Sequence, residues 1–92
     1  MEYRIGDYIA VQEDAAGNVY VTRPSMLSNQ IHTVKINAPA EAIAKWLAAR
    51  INGLRPPLVQ DAFPQLNDAE REFLMTGITD EEWTVSVVGV DE

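Results

Sequence analysis

The chain's 92 residues, 47% hydrophobic and 23% charged, suffice for one globular domain (1–92) with a single core, but not for a cleft walled by two domains. It has no cysteine, which excludes disulfide staples and cysteine-ligated zinc. The formal net charge of −7 is concentrated in the C-terminal third, and that asymmetry argues against nucleic acid or an anionic membrane as the partner of that third.

The N-terminal stretch MEYRIGDYIAVQED carries charges throughout and has no apolar run of the signal-peptide kind. No window reaches the roughly 18 consecutive apolar residues that a membrane helix needs. The expected location is therefore the cytoplasm, with no membrane partner.

The first third reads as β-structure. Tyr8 to Gln12 and Val19 to Thr22 are rich in β-branched and aromatic residues, and Gly17-Asn18 between them supplies the positive φ angles of a hairpin turn. Pro24, Ser25, Ser28 and Asn29 form a looser connection. Ile31 to Ile36 then alternates, with His32, Val34 and Ile36 on one face and Ile31, Thr33 and Lys35 on the other. These three strands make an antiparallel meander.

A helix follows. Asn37-Ala38-Pro39 suits its start, Ile43, Trp46, Leu47, Ile51 and Leu54 form one apolar stripe, and Gly53 is placed as its stop. Glu41 and Lys45 pair at i, i+4 on the outer face. Pro56-Pro57 and Pro64 bound a connector whose Leu58, Val59, Ala62 and Phe63 are expected to pack inward.

Asn67 and Glu70 have the spacing of a capping box, with Phe73 and Leu74 on the buried side and Gly77 at the end. Thr79 to Glu82 repeats the box and starts one more helical turn. Trp83, Val85 and Val87 then alternate with Thr84 and Ser86, as a half-buried strand would. The expected fold is α+β. A mostly antiparallel four-stranded sheet, formed by the N-terminal meander plus this C-terminal strand, carries one main helix and one or two short helices on one face.

No catalytic constellation, metal set or cofactor cradle is readable. His32 is the one histidine, and none of Ser25, Ser28 and Ser86 lies in a nucleophile-elbow context, so a structural histidine is expected. Calcium-loop and phosphate-loop spacings are missing. Residues 37–57 carry Lys45, Arg50 and Arg55 against Glu41, too small an excess for direct nucleic-acid binding. Residues 58–92 carry Arg71 against nine acids, a net of −8. The candidate partner-binding residues are therefore Asp68, Glu70, Glu72, Asp80, Glu81 and Glu82, facing a protein or ribonucleoprotein with a basic surface. Within this set, Asp68, Glu72, Asp80 and Glu81 exceed what the two caps require.

The segment VQDAFPQLNDAEREFLMTGITDEEW (Val59 to Trp83) resembles a recurrent stretch of small phage and prophage proteins. The resemblance rests on Gln60, Pro64, Leu66, Arg71, Glu72, Phe73, Gly77, Thr79, Glu81, Glu82 and Trp83, and covers about a quarter of the chain. Asn67 stands where those proteins usually have serine, and Asp80 where they often have proline. They usually end in helix after the tryptophan, whereas this chain continues with a strand-like pattern. The resemblance implies a phage origin. By association it also implies a non-catalytic role, the stoichiometric inhibition of a host nucleic-acid-handling defence complex such as a CRISPR complex. A structural or self-associating phage accessory protein is the alternative.

Overall fold

The computed structural model describes residues 1–82, and the strand expected from Trp83 onward lies outside them. Four strands, β1 (Glu2–Gly6), β2 (Ile9–Glu13), β3 (Val19–Pro24) and β4 (Ile31–Lys35), pair antiparallel in the order β1-β2-β3-β4. Helices α1 (Ala40–Ile51), α2 (Val59–Ala62) and α3 (Asp68–Thr76) follow, and the domain is α+β.

Among the described residues the sheet has four strands, and the one beside the meander is the N-terminal β1, which the sequence reading did not propose. Tyr3 and Ile5 of β1 are half-buried against the core, while Glu2 and Arg4 are exposed. The short β1–β2 connection and the register shift between Arg4 and Gly6 confine that alternation to a few residues.

Register sorts the side chains by face. Tyr3, Val11, Val21 and Val34 lie in one row facing the helices, with Val11 and Val21 fully buried. Arg4, Ala10, Thr22 and Thr33 form a row on the opposite face, where the Thr22 and Thr33 hydroxyls meet at 2.8 Å. One packed face and one largely polar face are what a period-2 pattern gives in an antiparallel sheet.

The turn between β2 and β3 is organised by Asp14, whose Oδ1 accepts from the amides of Ala16 and Asn18 at 2.9 Å each. Gly17 takes a φ of 91°, but Asn18 does not need the left-handed region; Asn29, in the next loop, does, with a φ of 64°. These amide donors and the Asn18 side chain hold the Asp14 carboxyl below its ordinary pKa.

Helix α1 begins after Pro39 without a side-chain cap, so Asn37 is not its capping residue. At its end Gly53, with a φ of 78°, donates to Arg50 O while Leu54 N donates to Ala49 O. That pair of bonds is a Schellman stop. Ile43 and Leu47 are fully buried and Trp46 nearly so, with Ala40 and Ala44 completing the inward stripe. Burial of each large apolar side chain stabilises the fold by roughly 1.5–3 kcal/mol.

The stripe ends there. Ile51 and Leu54 are 47% and 65% exposed, against the expectation that they would be buried. The helix has run past the core by that point, so the apolar period continues over solvent. Leu58 is likewise 63% exposed rather than packed, because the connector turns inward only at Val59, Phe63 and Leu66. Trp46 fixes this connector: its indole N–H donates to Pro57 O at 2.8 Å, and its ring meets Phe63 edge-on at 6.4 Å.

Candidate functional site

Helix α3 and the turn after it hold all six candidate carboxylates. Asn67 caps α3 by accepting from the Glu70 amide at 2.8 Å, and Glu70 Oε1 accepts from the Asn67 amide at 2.9 Å. Glu70 Oε2 also accepts from the amide of Asn37 at 3.0 Å, which ties the start of α3 to the segment leaving β4. Both Glu70 oxygens are therefore engaged in the fold.

The far end of α3 is held as firmly. Arg23, 6% exposed at the end of β3, donates from Nη1 to Leu74 O at 2.7 Å. Met26 N donates to Thr76 O at 2.9 Å, and Gly77 ends the helix in the left-handed region. A cation and amide donors at a helix C-terminus satisfy its free carbonyls and complement its dipole.

Beyond Gly77 the second box forms: the Glu82 amide donates to Thr79 Oγ1 at 3.1 Å, and the Thr79 amide approaches Glu82 Oε1 at 3.4 Å. Glu82 Oε2 accepts from the Ser28 hydroxyl and lies 2.9 Å from His32 Nε2. His32 Nε2 is shielded from solvent and faces the Glu82 carboxylate. The Ser28 hydroxyl first, then His32, pulls the Glu82 carboxyl down from 4.5 to about 2.

The order of groups in this cluster determines its chemistry. A serine nucleophile needs an imidazole between its hydroxyl and a carboxylate. Here the carboxylate stands between Ser28 and His32 and takes a hydrogen bond from the hydroxyl. The arrangement fastens the 79–82 turn to β4 and to the 25–30 loop, and it places a carboxylate, not an imidazole, at the Ser28 hydroxyl. Ser25, buried in the same loop, spends its Oγ accepting from the amides of Leu27 and Ser28.

The six candidates therefore divide. Glu70 and Glu82 are consumed by capping and by contacts to other elements. Asp68, Glu72, Asp80 and Glu81 are exposed. Asp68 and Glu72 share a helix face at i, i+4 spacing, and their contacts are local: Asp68 with Arg71 at 3.4 Å, Glu72 with the Thr76 hydroxyl at 2.8 Å. An exposed pair such as Asp68–Arg71 contributes little to stability.

Among the described residues, no three His, Asp or Glu side chains converge as metal ligands would. No helix among them is long and apolar enough to cross a membrane. Sequence reasoning missed Arg23 and the Ser28–Glu82 contact. The one signal for Arg23 was a cation at an inward position of a strand, opposite His32 in the register. In comparisons with known proteins, the chain matches no family model, no curated protein and no solved structure.

Proposed function

We propose that this chain is a phage-encoded, non-catalytic protein that binds a basic surface of a host nucleic-acid-handling complex and inhibits it by occupancy. One observation carries the reading. The fold uses Glu70 and Glu82 internally and leaves Asp68, Glu72, Asp80 and Glu81 at the surface, beyond the needs of capping. Carboxylates in that position can take the place of phosphates against arginine and lysine side chains. The phage attribution, and with it the defence complex as target, rests on the resemblance carried by Val59 to Trp83.

Affinity capture from bacterial lysate on the immobilised protein tests this. Proteins that handle nucleic acid are expected to be retained and to elute as ionic strength rises, since exposed charges are screened beyond about 8–10 Å at physiological salt. Recovery of no such protein would overturn the proposal.

A further inference from the structure

A second surface differs from the acidic one in composition and position. The end of α1 and the connector after it leave Ile51, Leu54 and Leu58 47%, 65% and 63% exposed. Scattered apolar residues need no explanation, but Leu54 and Leu58 line one of two depressions that share the walls Trp46, Pro56 and Pro57. One trough, of about 340 Å³, runs over Ala49 and Phe63; the other, of about 400 Å³, runs over Leu54, Leu58 and Met75. Both volumes are in the range of side-chain and small-ligand sites.

The ridge between the troughs is rigid. Two consecutive prolines fix their own φ angles, and the Trp46 indole holds Pro57 O at 2.8 Å. A preformed surface loses little entropy when it is occupied.

The rim is basic on an otherwise acidic protein. Lys45 lines the first trough, and Arg50 and Arg55 line the second. Lys45 is paired with Glu41 at 3.5 Å, while Arg50 lies 5.6 Å from the centre of the Trp46 ring. Among the described residues neither Arg50 nor Arg55 has a carboxylate within salt-bridge distance. An apolar floor with unmatched cations on its rim is complementary to an apolar segment that carries carboxylates.

We infer that the troughs on either side of the Trp46–Pro56–Pro57 ridge form a docking groove for a partner segment whose apolar side chains are flanked by Asp or Glu. Its apolar side chains seat over Leu54, Leu58 and Met75, and its carboxylates meet Arg50 and Arg55. The groove shares Met75 with α3 but none of the four exposed acids, so one chain can hold an acidic partner segment here and a basic surface through those acids.

Selection from a displayed random library of peptides about twelve residues long, the span of a groove-bound segment, tests the inference on the intact chain. Enrichment of sequences pairing Leu, Met or Phe with Asp or Glu is expected. A fluorescein-labelled member should lose about tenfold or more in affinity against L54E/L58E, which removes the apolar floor, and against R50E/R55E, which reverses the charge its carboxylates meet. All four positions are exposed, and circular dichroism of each variant verifies that it folds. Three results would overturn the inference: no enrichment, enrichment of basic or uncharged peptides, or binding indifferent to both variants. Light scattering that shows a dimer dispersed by L54E/L58E would also overturn it, because the occupant would then be a second copy of the chain.

Discussion

Arg23, near the end of β3, donates from its guanidinium to the carbonyl of Leu74 in the last turn of α3, across 2.7 Å and 51 residues of sequence. Burial first, then repulsion from Arg50, lowers its pKa from the ordinary arginine value, yet a guanidinium remains charged under any working condition. With Met26 N, which donates to Thr76 O, the bond ties the C-terminal end of α3 to the end of β3 and the loop after it. Replacing Arg23 by methionine keeps much of the apolar stem but leaves the Leu74 carbonyl without its donor. A loss of about 1.5–3 kcal/mol in urea unfolding is expected, the usual range for hydrogen bonds from charged groups. A loss below about 0.5 kcal/mol, the level of ordinary surface changes, would show that the link carries no weight.

Gly77 and Gly17 both have positive φ, 78° and 91°, but their surroundings differ. A Cβ on Gly77 would sit 2.2 Å from Pro24 O and 3.0 Å from Arg23 Nε, whereas one on Gly17 would meet nothing within 4 Å. Gly17→Ala should therefore cost only the left-handed penalty of about 1–2 kcal/mol. Gly77→Ala should cost that plus displacement of backbone, about 3 kcal/mol or more. Equal thermal midpoints for the two variants would contradict the close approach of β3 to the end of α3.

The Glu82 contacts predict a pH dependence. The carboxyl is lowered from 4.5 to about 2 in the folded chain, so the unfolded chain binds its proton first as pH falls. The stability it contributes is fully present above 4.5 and is lost as pH drops toward 2. Glu82→Gln should flatten the fall in stability across that window, and Ser28→Ala, which removes the largest cause, should flatten part of it. Asp14 is also lowered, so some slope should remain in both variants. A slope unchanged in Glu82→Gln would show that the cluster does not bind the carboxylate in solution.

Local grammar was readable from residues that act on near neighbours. The Asn67–Glu70 and Thr79–Glu82 boxes, the glycine stops of α1 and α3, and the inward set of His32, Val34 and Ile36 all involve partners within a few positions. What was misread depended on where the core ends. Ile51 and Leu54 continue the period of α1, yet sequence alone does not show that the helix outruns the sheet beneath it. Strand β1 was overlooked because its inward residues are only Tyr3 and Ile5, too few for alternation to stand out. The Arg23–Leu74 and Ser28–Glu82 contacts join positions 51 and 54 apart, beyond the reach of any periodicity. For the acidic residues, the capping boxes already separated Glu70 and Glu82 from the other four. The contacts of Glu70 to Asn37 and of Glu82 to Ser28 supply a further reason for that division.

The central claim is that position, and not net charge alone, makes Asp68, Glu72, Asp80 and Glu81 a binding surface. The most direct measurement is lysate capture on two variants of identical charge. D68N/E72Q/D80N/E81Q neutralises the proposed surface, and E2Q/D7N/E41Q/D61N neutralises four exposed acids elsewhere. The account predicts that the first variant loses the salt-eluted nucleic-acid-handling proteins while the second retains them, with both folded. Retention by the first, or equal loss by both, would contradict it.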